Sequence, residues 1–286
     1  MDTTVEPPCS VGPPPAGASL DGRQLREREF HIAFAQRHSG KISQPVALDV
    51  IAPGRRRPWN GCWTAYDFLM AERVAGKRVL VPGCGFGEDA IRLAALGADV
   101  YAFDLSPELL QIARQRAALM GVPDIKLACM PAETLDYPDS FFDIIFFNDI
   151  LHHVDIAKAV AEARRVLKPE GRIVANELYT HSLMQLVRES RFVTGFLYRR
   201  MVRYIYGTDA PYITDDEHKI DESELAILQA VLRPGPKYRY FLFLGGRLLA
   251  ASGLGVAKFD QAVFAACPGL GRFLAGRIVA SGTIVK

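Results

Sequence analysis

The sequence lacks any paired-cysteine pattern. Its five cysteines, Cys9, Cys62, Cys84, Cys129 and Cys267, are odd in number and show no CxxC spacing. They argue against a zinc site or a disulfide frame and point to a reducing compartment, with a cytoplasmic location as the expectation. An excess of charge is missing too. The net charge of +2 is too small for the field of the whole protein to capture duplex nucleic acid. No stretch reaches the roughly 20 uninterrupted apolar residues of a spanning helix. The nearest, 240–257, carries Arg247 and several glycines, and reads as a buried strand followed by a buried helix, or as a peripheral membrane contact. Residues 1–19 hold two acids, no base and no apolar core, so they are no secretory signal. Their Pro7-Pro8 and Pro13-Pro14-Pro15 read as a disordered tail. No internal repeat is visible.

What is present is the material of a packed core. Hydrophobic residues make up 49% and charged residues 23% of 286 positions, enough for one α/β domain with appended elements. The stretch 24–38 reads as a helix, and so does 64–74. From 77 onward, short β-rich runs alternate with helical segments: strand 77–81, helix 88–96 stopped by Gly97, strand 99–103, a helix capped by Ser106 with Pro107 at its first position, strands 125–129 and 142–147, helix 156–167 and strand 172–175. Such alternation predicts right-handed βαβ units and a parallel sheet covered on both faces. Asp221-Glu222-Ser223-Glu224 is a capping box for a helix running to about Arg233, and 238–244 and 278–285 are two further strands.

The strand Arg78-Val79-Leu80-Val81 runs into Gly83-Cys84-Gly85-Phe86-Gly87 and then a helix. That places bare backbone at the carboxyl end of a parallel strand, where open α/β sheets bind ligands. Alone the glycine pattern is weak. The next strand, however, ends in Asp104, at the spacing of an acid that holds ribose hydroxyls. Capping the following segment is the other use for such an acid. A dinucleotide fingerprint wants a small residue where Glu88 stands, and a carboxylate at a helix start repels a pyrophosphate.

Taken with Asp104-Leu105-Ser106, Pro131-Ala132-Glu133, Ser140-Phe141-Phe142-Asp143, Leu151-His152-His153-Val154 and Val166-Leu167-Lys168-Pro169-Glu170-Gly171, the turn resembles the successive motifs of class I S-adenosylmethionine-dependent methyltransferases, in the ubiquinone-biosynthesis-like group. The resemblance covers about residues 77–177. It implies a Rossmann-like seven-stranded, mostly parallel sheet with helices on both faces and helical substrate-covering elements, and S-adenosyl-L-methionine as cofactor. By the same resemblance Gly83, Cys84, Gly85 and Gly87 line its methionine portion, Asp104 binds the ribose, Leu105 packs on the adenine, Ala132 and Glu133 lie at the adenine edge, and Asn148 faces cofactor and substrate. Two positions depart from the family: Val81 stands where an acid usually precedes the turn, and Pro131 where one precedes the Ala-Glu pair.

A sulfonium is already an activated methyl donor, so a base is needed only if the acceptor must lose a proton. His152, His153 and, from the first helix, His31 are the candidates, with backbone hydrogen bonding as the alternative role for the first two. No metal ligand set is evident. The organisation expected is a disordered tail (1–22), an N-terminal helical substrate cap (23–76), the cofactor core (77–177), a substrate-covering insertion (178–220) and a C-terminal helix and strands completing the sheet (221–286). Tyr198, Tyr204, Tyr206, Tyr212, Phe192 and Phe196 form an aromatic set, read either as core or as pocket wall, and Trp59-Asn60 and Trp63 are placed to close the N-terminal side. Arg55, Arg56 and Arg57, and then Arg188, Arg191, Arg199, Arg200 and Arg203, are solvated faces, or contacts for an anionic substrate or a membrane surface. The leading expectation is a methyltransferase for a small, hydrophobic metabolite (isoprenoid, quinone-precursor or polyketide-like) that binds no nucleic acid. A non-catalytic binding protein of the same fold, suggested by Val81 and Pro131, and an RNA methyltransferase, suggested by the arginines, are the alternatives.

Overall fold

The computed structural model describes residues 20–54, 56–198, 219–233, 237–244 and 254–286. Residues 1–19, Arg55, Arg199, Arg200, Arg203, Tyr204, Tyr206, Tyr212 and Arg247, and the side chains of Arg188, Phe196 and Tyr198, lie outside the described residues.

Seven strands, β1 (Arg78–Pro82), β2 (Asp99–Asp104), β3 (Lys126–Cys129), β4 (Phe142–Asn148), β5 (Leu167–Leu178), β6 (Lys237–Phe241) and β7 (Arg277–Thr283), form one sheet in the order β3-β2-β1-β4-β5-β7-β6. The first five strands pair in parallel, and β7 runs antiparallel to both β5 and β6. Alternation along a strand feeds two cores: Val79 and Val81 enter one, Leu80 the other. Both faces are therefore apolar, as a sheet sandwiched by helices requires.

In the first half of the chain the helices are α1 (Gly22–Arg37), α2 (Gly61–Ala71), α3 (Glu88–Ala95), α4 (Pro107–Leu119) and α5 (Ile156–Val166). Then come α6 (Ser182–Glu189), α7 (Glu222–Ala230), α8 (Leu254–Ala266) and α9 (Pro268–Leu274). Ser106 caps α4 through a bond from Leu109 N–H at 3.2 Å. Asp221 and Glu224 form the capping box of α7, which ends at Ala230 rather than near Arg233. Helix α2 begins before the expected residue 64, because the Asn60 side chain accepts from Trp63 N–H at 3.2 Å and starts the helix at Gly61.

Of the apolar run 240–257, residues 245–253 lie outside the described residues; α8, which takes up its end, buries Asp260 and Phe264 and leaves Leu254 and Phe259 more than half exposed. No described helix is long and apolar enough to cross a membrane.

Candidate cofactor and acceptor cavity

The turn after β1 is left-handed at Gly83 (φ 58°), Gly85 (φ 51°) and Gly87 (φ 77°). Its glycines serve different ends. A Cβ on Gly87 would lie 2.8 Å from Ala113 Cβ, so this glycine lets α3 approach α4, whereas a Cβ on Gly85 would meet nothing within 4 Å. Cys84 N–H donates to Phe103 O at 2.9 Å and fastens the turn to β2. At the end of β2 the buried Asp104 carboxylate accepts from Gly85 N–H at 2.9 Å and from Ser106 N–H at 3.0 Å. A single side chain thus ties the glycine turn to the start of α4.

A cavity of about 560 Å³ opens at this carboxyl edge of the sheet. Gly83, Gly85, Asp104, Leu105, Ala132 and Glu133 line one part of it, and His31, His152 and His153 another. His31, remote in sequence, comes together with the adjacent His152 and His153: ring centroids are 6.1 Å apart for His31 and His153 and 4.2 Å for His152 and His153. Cys84, Gly87 and Asn148 are not in the lining. Burial and the nearby Asp104 push the Cys84 thiol well above its ordinary pKa. Asn148 is held from behind, donating to Asp89 at 2.7 Å and accepting from Asn176 at 2.6 Å. Glu88 is also absent from the lining and pairs with Arg116 at 3.3 Å, so its charge is answered away from the cavity. The family's missing acid leaves no gap either, since Val81 is buried in the core.

Helix α1 supplies a wall that the sequence did not announce beyond His31. Arg23, Gln24, Glu27, His31 and Phe34 recur at helical spacing and face the cavity. Arg23 pairs with Glu133, and Gln24 Nε2 donates to the same carboxylate at 2.9 Å. Glu133, expected at the adenine edge, is therefore also the latch that holds α1 down. Glu27 Oε2 lies 3.5 Å from His31 Nε2 and 3.4 Å from His153 Nδ1.

Burial alone would lower the pKa of His31, but Glu27 and Asp104 outweigh it and the value is raised above 6.5. The folded chain thus favours the charged ring. Its stabilising contribution is fully present below 6.5 and is lost as pH rises through the raised folded value. Faced by Glu27, Asp104 and His153, His31 is expected to hold α1 less firmly on the alkaline side. Hydrogen exchange of the α1 amides across that range should show the loss in the native protein and not in His31→Gln; identical profiles would remove His31 from the docking.

At the other end of the cavity, His152 Nδ1 faces Glu177 Oε2 at 2.9 Å, and Glu177 Oε1 accepts from Ile150 N–H and Leu151 N–H, each at 3.0 Å. A carboxylate only accepts, so Nδ1 carries the proton and, in the neutral ring, Nε2 is the accepting nitrogen. Asp149, in the left-handed region at φ 55°, pairs with Arg277 at 2.9 Å. Burial and the neighbouring Glu177 raise its pKa, against the pull of Arg277. Asp149, His152 and Glu177 bring ligand atoms within 4.8 Å of one another, but the arginine and the three hydrogen bonds already engage the two acids.

The residues placed to close the N-terminal side do not reach the cavity. Trp63 is buried under the Arg56 and Arg57 guanidinium groups at 4.5 and 4.7 Å, and these arginines pair with Asp67 and Asp49. Trp59 lies beneath Lys258 at 5.0 Å. Arg56 and Arg57 are thus engaged in local structure.

An open sheet whose first strand runs into a glycine turn, bonded to an acid at the end of the second, defines a Rossmann-like nucleoside-cofactor domain. The family model described as "Methyltransferase domain" matches residues 80–175. A demethylmenaquinone methyltransferase from Tropheryma whipplei is 36% identical over 155 residues, covering 54% of this chain and 60% of that one. Methyltransferase GfsG from Streptomyces halstedii is 28% identical over 203 residues, 70% of this chain and 71% of that one. The chain spans about half the length of other curated relatives it matches, down to 42%. In fold, it is similar to geranyl diphosphate C-methyltransferase from Streptomyces coelicolor A3(2), solved with Mg2+, geranyl diphosphate and S-adenosyl-L-homocysteine, at TM-score 0.58 and 13% identity over 94% of this chain and 100% of that one.

Proposed function

We propose that the chain transfers a methyl group from S-adenosyl-L-methionine to a small, hydrophobic metabolite of isoprenoid, quinone-precursor or polyketide-like type. The observation that carries the reading is the Gly85 to Asp104 bond at the cavity floor, which sets bare backbone and a carboxylate side by side. The residues fit the cofactor: Gly83 and Gly85 would take the methionine portion, Asp104 the ribose, and Leu105 with Ala132 the adenine. When bound, S-adenosylmethionine supplies the activated methyl, which leaves the protein the work of alignment. His152, with its tautomer set by Glu177, is placed to accept a proton at Nε2 from an acceptor O–H or N–H. His153, beside Glu27, is the second candidate, and because Glu27 belongs to α1 its use depends on α1 being docked.

The name of the Tropheryma relative supports a quinone-like acceptor. On this reading the stretch 23–76 is the helical substrate cap, and 178–220, described to 198 and from 219, is the substrate-covering insertion. Arg56 and Arg57, engaged with Trp63, Asp67 and Asp49, weigh against RNA as acceptor. Calorimetry on the full chain should show binding of both S-adenosylmethionine and S-adenosylhomocysteine, and labelled S-adenosylmethionine should mark a lipid-extractable product from the source cell. Absence of binding at millimolar cofactor would overturn the proposal; binding without any labelled product would favour the non-catalytic alternative.

A further inference from the structure

The methionine portion of the cofactor ends in a carboxylate, and the turn that would receive it has committed most of its donors. Cys84 N–H donates to Phe103 O at 2.9 Å, Gly85 N–H to Asp104 at 2.9 Å and Gly87 N–H to Cys84 O at 2.8 Å. Acids crowd the same place. Glu88 and Asp89 open α3 directly after the turn, and Asp104 is bonded to the turn itself. A carboxylate brought here meets like charge, and the dipole of α3 is already answered by its own two acids. The site calls for a side-chain cation.

Among the described residues, the cations other than histidine that line the cavity are Arg23, Lys41 and Arg277. Two of them are engaged elsewhere. Arg23 donates to Glu133 and to His153 O, and Arg277 pairs with Asp149 at 2.9 Å at the acceptor end. Lys41 stands at the glycine turn. It belongs to the 3-10 turn Ser39–Ser43 that follows α1 and packs on α4, and its Nζ lies 4.7 Å from the centre of the Phe86 ring. The neighbouring Ile42 packs with Phe86 on Ala35, Leu109 and Ile112, so the backbone is anchored while the Lys41 side chain stays 34% exposed. Its pair with Glu88 is loose, at 3.8 Å. Glu88 is held more closely by Arg116, whose two terminal nitrogens both donate to it at 3.3 Å. Lys41 can therefore turn to a ligand without leaving Glu88 uncompensated.

We propose that Lys41 binds the carboxylate of the cofactor's methionine portion and so selects nucleosides that carry an amino-acid tail. The inference rests on Gly83 and Gly85 receiving that portion, as in the proposed function. The test is calorimetry on the full chain with S-adenosylhomocysteine and with 5′-methylthioadenosine, which keeps the adenine, ribose and thioether but has no carboxylate. Lys41→Met should weaken S-adenosylhomocysteine binding by about tenfold, a charged hydrogen bond discounted for exposure. Its affinity for 5′-methylthioadenosine should match the parent's, and Lys41→Arg should restore most of the lost affinity. Lys237→Met removes the same charge at an exposed position on β6 and should bind both ligands as the parent does. A loss under threefold in Lys41→Met overturns the proposal and leaves the carboxylate to the Gly83 and Phe86 amides. Equal losses for the two ligands, or an equal loss in Lys237→Met, overturn it as well, since Lys41 would then act through the fold or through net charge. A parent that binds S-adenosylhomocysteine whatever stands at 41 sinks this inference alone, whereas a parent that binds neither ligand sinks the methyltransferase reading with it. Thermal melting of each variant checks that it folds.

Discussion

Replacing Asp104 with alanine is expected to weaken S-adenosylhomocysteine binding by about 100-fold, the combined worth of two hydrogen bonds to a charged group. The carboxylate has two duties. Its free lone pairs face the cavity for a ribose, and it also receives the Gly85 and Ser106 N–H groups. Alanine leaves both donors without that partner, so the turn should loosen as the ribose contact disappears. Asp104→Asn keeps an accepting oxygen for one donor and should fall between parent and alanine in affinity. Calorimetry reads the affinities. A loss under threefold in Asp104→Ala would mean that Asp104 is only a turn anchor.

The second large effect is on stability. Glu177 is fully buried, and its carboxylate receives Ile150 N–H, Leu151 N–H and the His152 ring. Glu177→Ala strands all three donors and should cost about 3–5 kcal/mol, at roughly one to two for each buried donor left unsatisfied. For a domain of this size that lowers the melting temperature by roughly 10 °C. Glu177→Gln separates structure from chemistry. Its amide oxygen can still receive the backbone donors, but its NH2 faces His152 Nδ1 and forces the ring proton to Nε2, away from the acceptor role. Imidazole nitrogen shifts in NMR should show that tautomer change while S-adenosylhomocysteine affinity stays near the parent's. A ring that keeps its proton on Nδ1 in Glu177→Gln would remove the proposed orienting role.

The scaffold was legible where local and global signals agree. Strands β1 to β4 and helices α3 to α5 lie within a residue or two of their expected bounds, because apolar runs, glycine stops and caps such as Ser106 all point the same way. β5 was read too short. It extends past Asn176 to Glu177 and Leu178, and two polar residues do not look like buried strand until their partners, Asn148 and the loop after β4, are known. The cavity floor was readable from the glycine turn and Asp104 for the same local reason. Its walls were not. Glu27, Arg23 and Arg277 enter from elements remote in sequence, and nothing near them in the chain marks them as facing a ligand. A polar stripe on α1 was the one available hint, and only His31 was drawn from it.

The place of β7 has a consequence for how the chain folds. It lies between β5 and β6, yet it follows both in sequence, and β6 pairs with no other described strand. While the polypeptide emerges from the ribosome, β1 to β5 can assemble with the β5 edge still open, but β6 must wait for residues that come some 40 positions later. During that interval the β5 edge offers unpaired backbone groups to other nascent chains. Closing the sheet then delivers Arg277 to Asp149, so the acceptor end of the cavity matures only after the edge has been sealed.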